Sequence, residues 1–221
     1  MDEEEPGGRR VIDVRMFTVG PYAENCFVVR PEGGDHAVVV DPGDEAPKLL
    51  AAIDALGVTV DAILLTHTHI DHIGAGAALK EHTGAPVYCP RIEAPILPQP
   101  DFFARFGMGR HEPFEADELL DGGERLTLAG LDVEVIFTPG HSPGHVTYAV
   151  EAEQALFSGD VLFQGSVGRV DLPGGDWNTL AASIQGLLDR FDDEATVYPG
   201  HMGLTTLGRE RATNPFLTEL V

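Results

Sequence analysis

The stretch that most constrains this chain is AILLTHTHIDH, residues 62–72. Its first four residues, Ala62 to Leu65, are all apolar and read as a buried strand. The strand delivers His67, His69, Asp71 and His72 within six consecutive positions. Three imidazoles this close lose favourable hydration if buried unpaired. On a surface they would have no reason to follow a fully apolar strand. A metal site answers both objections. In extended chain, residues i and i+2 point the same way, so His67 and His69 can grip one ion. Asp71 and His72 come where the chain turns into a helix and can face another direction, so the segment suits two ions. Side chains presented in this way need a rigid sheet behind them and a cleft in front.

Three other places end a strand and present a metal-capable side chain: FTPGHSPGH (137–145), LFSGD (156–160) and VYPGH (197–201). His36, His82 and His111 lie outside these motifs and read as ordinary polar residues. Strand and helix signals interleave along the chain. Strands are expected at 11–19, 25–30, 36–43, 61–67, 86–89, 125–130, 131–140, 145–151, 154–160 and, as the last, 195–201. Helices are expected at 44–57, capped by Asp44 and stopped at Gly57, at 73–84, and at 177–191, capped by Asp176. Residues 90–124 carry Pro90, Pro95, Pro98 and Pro100, then Phe102, Phe103 and Phe106, and read as irregular. An irregular segment of that length inside a compact domain is functional or mobile. The alternation implies a layered α/β or α+β domain.

A length of 221 residues fits a single domain over 11–221, preceded by an acidic, disordered tail at 1–10. That tail, MDEEEPGGRR, is acidic where a secretory signal is basic, and no apolar run reaches membrane-spanning length. Cys26 and Cys89 show no metal spacing and read as buried free thiols, so a reducing, cytoplasmic setting is expected. The 36 acidic side chains against 14 basic ones give a formal charge of −22. Such a surface repels phosphate backbones, which excludes nucleic acid and leaves a small molecule as the expected partner. It also matches a salt-adapted surface. The sequence leaves the oligomeric state open.

HTHIDH (67–72) resembles the HxHxDH signature of the metallo-β-lactamase superfamily, and TPGHSPGH, SGD and YPGH resemble its later ligand motifs in the same order. Within it, GSVGRVDLPGGDWNTL (165–180) and GRERATNPFL (208–217) are similar to the short bacterial form of glyoxalase II, the hydroxyacylglutathione hydrolases. The resemblance covers the chain from residue 11. It implies a four-layer αβ/βα sandwich with two divalent metal ions in a cleft at one edge, zinc first, with iron or manganese as alternatives. Carried over, His67, His69 and His141 hold the first ion. Asp71, His72 and His201 hold the second, and Asp160 bridges the two. Asp71 and His145 are the expected catalytic residues, His145 orienting rather than ligating. Asp41 of VVVDPG either supports the site or forms a turn.

A hydroxide shared by the two ions is the nucleophile this ligand count implies, because metal binding takes water from a pKa of about 15.7 to about 7. The motifs contain no dedicated general acid. An amine leaving group would need one, whereas a thiolate of pKa about 8.5 leaves unaided. The implied reaction is therefore hydrolysis of S-D-lactoylglutathione, or of a related hydroxyacyl thioester. Arg169 is the expected contact for the thiol carrier, with Arg209 and Arg211 behind it; the competing reading of Arg169 is a salt bridge. The longer glyoxalase II form has a C-terminal helical domain that helps bind glutathione, and this chain ends at Val221 without it, so another thiol is open. Met202 stands where relatives often carry glycine. Rival readings on the same fold are a mononuclear-iron persulfide dioxygenase, which usually replaces the histidine at the position of His145 by cysteine, and a lactonase. A non-catalytic metal-binding module is disfavoured by the complete ligand set.

Overall fold

The structure, a computed structural model, describes residues 12–217. The tail expected at 1–10 lies outside the described residues. In chain order the elements are β1 (Ile12–Val19), β2 (Glu24–Pro31), β3 (His36–Val40), α1 (Ala46–Leu56), β4 (Thr59–Leu64), α2 (Ile70–Ile73), α3 (Gly76–Thr83), β5 (Val87–Pro90), β6 (Glu118–Leu120), β7 (Arg125–Leu128), β8 (Leu131–Phe137), β9 (Val146–Val150), β10 (Ala155–Gly159), β11 (Leu162–Phe163), β12 (Ser166–Val167), α4 (Trp177–Arg190), β13 (Thr196–Pro199), β14 (Thr205–Thr206) and α5 (Leu207–Thr213). One six-stranded sheet runs β1-β2-β3-β4-β5-β6 and a second runs β14-β13-β10-β9-β8-β7. A two-stranded ribbon of β11 and β12 stands apart. In the first sheet β3, β4, β5 and β6 are parallel; in the second only β10 and β13 are.

The strand sequences dictate the layers. Successive side chains point to opposite faces, and these strands are apolar on both. Phe27, Val29, Val38, Val40, Ala62 and Leu64 pack inward against Leu131, Val133, Val135, Tyr148 and Phe157 of the other sheet. Their alternates Cys26, Val28, Val39 and Ile63 face Leu49 and Ile53 of α1 and Leu79 of α3. On the far side, Leu180, Ile184, Leu187 and Leu188 of α4 cover Leu156 and Val197. The order helix, sheet, sheet, helix is the four-layer αβ/βα sandwich. Cys26 and Cys89 are buried free thiols. Among the described residues no helix is long and apolar enough to cross a membrane.

Local details depart from the sequence reading. Asp44 does not cap α1: its carboxylate takes the N–H of the next residue, Glu45, which holds the N-cap place in a left-handed conformation (φ 50°). The helix expected over 73–84 is divided into α2 and α3, because the Ala75 N–H leaves the helical ladder for the carbonyl of Pro42 (2.9 Å). Residues 90–124 contain two 3₁₀ turns, Ala94–Ile96 and Ala104–Phe106, and the short edge strand β6. The chain does not end its sheet at residue 201: β14 adds a further pair to β13. Asp176 caps α4 as expected, accepting the Thr179 N–H at 2.8 Å.

Candidate metal centre

The site residues leave the sheets at one end. His67 and His69 follow β4, His141 and His145 lie between β8 and β9, Asp160 follows β10 and His201 follows β13. Two glycines let these loops close up. A Cβ on Gly140 would come 2.2 Å from the Leu180 nitrogen of α4, and one on Gly200 would come 2.4 Å from Asp160 Oδ1.

His67 Nε2, His69 Nδ1 and His141 Nε2 converge to 3.0, 2.8 and 3.2 Å from one another. Their neighbours fix two of the three tautomers. Thr66 Oγ1 donates its one proton to Asp41 Oδ2 (2.6 Å), so it must accept from His67 Nδ1–H (3.0 Å). His141 Nδ1–H donates to the Arg169 carbonyl (2.7 Å). The Nε2 atoms of His67 and His141 therefore face each other as bare lone pairs, an arrangement only a cation relieves. Burial pushes the His69 imidazole down to about 3 and holds His67 well below its ordinary value, so both stay neutral, as ligation requires.

The second half-site lies across Asp160. His72 Nε2 is 3.3 Å from Asp160 Oδ1, both atoms are buried, and neither has a hydrogen-bond partner. Asp160 Oδ2 is 3.4 Å from His141 Nε2 and 3.5 Å from His201 Nε2, and His201 Nε2 is 3.3 Å from Asp71 Oδ2. Ligand atoms of Asp71, His72 and His201 all lie within 4.8 Å of one another. Burial opposes ionisation of Asp160, but the His72 and His141 imidazoles outweigh it and hold its carboxyl far below the carboxylate range. Burial likewise opposes charge on His72, and the Asp160 and Asp41 carboxylates overcome it, raising its pKa well above the ordinary value. Buried bare acceptors, an orphaned carboxylate oxygen and an N/O donor set fit two divalent ions.

All seven sequence-predicted ligands thus meet in one cleft. Asp41 supports the site rather than merely making a turn: it accepts from Thr66 N–H (2.7 Å) and Thr66 Oγ1, and faces His72 Nδ1 at 3.0 Å. His145, expected among the catalytic residues, takes the orienting part of that expectation. It is fully buried, accepts the Asp160 N–H on Nε2 (3.0 Å) and turns Nδ1–H to Thr138 Oγ1 (3.1 Å), so it has no nitrogen free for substrate. Arg169 is exposed and its guanidinium forks onto Asp171 (2.6 and 2.8 Å). Arg211 is tied to Asp193 and the Leu188 carbonyl, and the Arg209 N–H bonds Thr206 Oγ1. Met202 is exposed, with φ of 69°. His36 pairs with Asp61, His82 with Asp54, and His111 with the Leu97 carbonyl.

Two buried acids were not anticipated. Glu93 Oε2 accepts from Thr68 Oγ1 (2.9 Å) and Oε1 from Gly144 N–H (2.8 Å), which ties the loop of His67 and His69 to that of His141 and His145. Glu24 is fully buried, 3.9 Å from His72 Nδ1, and burial pushes its carboxyl well above the usual range. Glu93 lies in the segment read as irregular and Glu24 opens β2 just after a hairpin turn; a lone acid in either place carries no sequence signal.

Comparison with known proteins agrees with this geometry. The family model described as metallo-beta-lactamase superfamily matches residues 19–201. A protein of Haemophilus influenzae named hydroxyacylglutathione hydrolase GloC is 35% identical over 209 residues, covering 93% of this chain and 98% of its own. The crystal structure of BLEG-1 B3 metallo-beta-lactamase superposes with a TM-score of 0.89 at 40% identity, over 93% of this chain and 100% of that one. TTHA1623, crystallised in a di-iron-bound form, gives a TM-score of 0.83 at 45% identity, over 92% and 100%.

Proposed function

The chain belongs to the metallo-β-lactamase superfamily and is a metallo-hydrolase, and from that premise we propose that it hydrolyses a hydroxyacyl thioester, as glyoxalase II enzymes do. The observation that carries the proposal is the pair of half-sites sharing Asp160, with His72 Nε2 and Asp160 Oδ1 buried and unpaired between them. His67, His69 and His141 would hold one divalent ion and Asp71, His72 and His201 the other, with Asp160 between; zinc fits this donor set, and iron is the metal named for the di-iron relative. When bound, such a pair supplies Lewis acidity toward a carbonyl and water whose pKa falls from about 15.7 to about 7.

The protein's own part is placement. Arg169 O, Thr66 Oγ1 and Asp41 aim His141, His67 and His72, and His145 fixes the backbone that carries Asp160. Asp71 is engaged with His201, Asp41 with Thr66 and His72, and His145 with Asp160 N–H and Thr138, while Glu24 is fully buried behind His72 on its Nδ1 side. An amine leaving group would find no spare proton donor among them. A thiolate, with a pKa of about 8.5, needs none. This favours the thioester over the β-lactam for which the BLEG-1 metallo-beta-lactamase is named. Arg169 is retained as the contact for an anionic thiol carrier, reached by exchanging Asp171 for the substrate carboxylate.

The test is turnover of S-D-lactoylglutathione by metal-replete protein, with nitrocefin as the β-lactam control. The expected result is thioester hydrolysis that chelation abolishes and added zinc or iron restores, with nitrocefin turned over far more slowly. No thioester hydrolysis by protein carrying both ions would end this reading, and faster nitrocefin turnover would transfer the function to β-lactams.

A further inference from the structure

Beside the centre, on the His69 side, lies a cavity of about 190 Å³. Its lining is mostly apolar, chiefly Ile92, Ile96, Phe102, Phe103, Phe106 and Met108, with the buried, unpartnered Ser142 hydroxyl as an uncharged polar group. The three phenylalanines form a chain of tilted rings with centroids 5.0 and 6.0 Å apart, and the Phe103 ring stands 6.2 Å from that of His69. In the 3₁₀ turns the backbone polar groups of this wall are used internally. Ile96 N–H, Leu97 N–H and Phe106 N–H close on the carbonyls of Glu93, Ala94 and Phe103, so the backbone's polar groups are spent within the turns.

Charge is equally one-sided. Among the described residues, no lysine or arginine lines the cavity. Arg105 is laid over the Phe102 ring, 5.3 Å from its centroid, and Arg110 is paired with Asp101 at 2.7 Å. The acid at the base, Glu93, has both oxygens committed to Thr68 and Gly144. A substrate carboxylate entering here meets apolar surface, one hydroxyl and an acidic residue rather than a lysine or arginine, in a chain of formal charge −22. A cavity of about 150 Å³ lined by apolar side chains holds a benzene molecule, so this one is large enough for a phenyl or branched alkyl group.

We propose that the protein selects substrates with an uncharged apolar group, of phenyl or branched-alkyl size, next to the scissile bond, and that Ile92, Ile96, Phe102, Phe103, Phe106 and Met108 are the specificity-determining residues. This rests on the thioester-hydrolase reading and narrows it: a small polar acyl group such as lactoyl on an anionic thiol leaves the cavity unfilled. The apolar group belongs to the acyl half or to the thiol half, and the two are separable by experiment.

The experiment compares kcat/KM of the metal-replete enzyme for four thioesters: D-lactoyl and D-mandeloyl glutathione, and the lactoyl and mandeloyl thioesters of phenethyl mercaptan. The expected result is a gain of about tenfold or more over D-lactoylglutathione when a phenyl group is introduced. A gain in the mandeloyl compounds assigns the cavity to the acyl side, and a gain in the phenethyl compounds assigns it to the thiol side. In the double variant Ile92→Ala, Phe106→Ala, both residues partly exposed in the folded chain, that ratio falls toward one while the melting temperature stays near that of the wild type. D-Lactoylglutathione hydrolysed as well as or better than every phenyl compound would overturn the cavity's role and leave the hydrolase reading standing. No turnover of any of the four would end the hydrolase reading and this inference with it.

Discussion

Three imidazoles at the centre have their tautomers set by different neighbours: Asp41 through Thr66 for His67, a backbone carbonyl for His141, a backbone N–H for His145. Partners of this kind typically contribute tenfold to a hundredfold to metal affinity. Asp41→Asn is therefore expected to weaken metal binding by about that factor in a competition titration against a chromophoric chelator; unchanged affinity would remove Asp41 from the support of His67 and His72. The metal-free chain also has a pH signature. Burial holds the His69 imidazole down to about 3 and those of His67 and His145 well below the ordinary 6.5. An unfolded chain protonates these groups first. Their contribution to stability is thus complete above about pH 6.5 and falls as pH drops toward 3, by up to about 1.4 kcal/mol per unit for each group. His72 and His201, raised by their carboxylates against the opposing effect of burial, act in the reverse sense. Their contribution is complete below the ordinary value and is lost as pH rises through their folded pKa. Urea melts of metal-free protein should show stability declining between pH 6.5 and 4; a flat profile would contradict buried, neutral His67, His69 and His145. The convergence of His67 and His69 was legible in the sequence because two-residue spacing after an apolar strand is a geometric statement, whereas their grouping with His141, Asp160 and His201 came from the resemblance. Thr66, Thr138, Glu24 and Glu93 were not legible, because one hydroxyl or acid supporting a neighbour across the fold leaves no local pattern.

At the scale of elements, helix α4 shows how a surface helix bears on the centre. Gly140, one residue before His141, has φ of 130° and a missing Cβ that would come 2.2 Å from Leu180 N, and Gly140 O accepts the Asp176 N–H at the start of α4. Gly140→Ala adds an overlap to a backbone conformation that disfavours side chains, so a loss of about 3 kcal/mol is expected in denaturant unfolding, together with weaker metal binding through displaced His141. A loss below about 0.5 kcal/mol would show that α4 and the His141 loop are not packed this tightly. Asp176→Ala removes only the cap and is expected to cost about 1 kcal/mol without touching metal affinity. The strands and α4 were readable from period and caps. Asp44 was misread because the left-handed Glu45 intervenes, and the 73–84 helix divides because a tertiary hydrogen bond from Ala75 outcompetes the local ladder. Segment 90–124 gave prolines and phenylalanines but no period, so its use as a pocket wall became visible only once Phe102, Phe103 and Phe106 were seen beside His69.

For the whole molecule, three apolar layers hold a surface of very uneven charge. At a formal −22, self-repulsion opposes the compact state, and salt screens it. The melting temperature is expected to climb as NaCl is raised from millimolar to molar concentration; a melting temperature independent of salt would show that the charge is already balanced locally. The sandwich itself was legible by resemblance through its four ordered motifs, whereas the pairing of β10 with β13 and the closure of both sheets on one cleft depend on contacts between distant segments that no window of sequence contains. The central claim is that Asp160 joins two half-sites into one two-ion hydrolytic centre. It is tested most directly by counting metal per chain by elemental analysis, for wild type and for Asp160→Ala, alongside thioester turnover. Two ions per chain are expected in the wild type, and one or none with turnover reduced at least a hundredfold in the variant. A wild type saturated and fully active with a single ion, or an Asp160→Ala variant that keeps two ions and full rate, would contradict it.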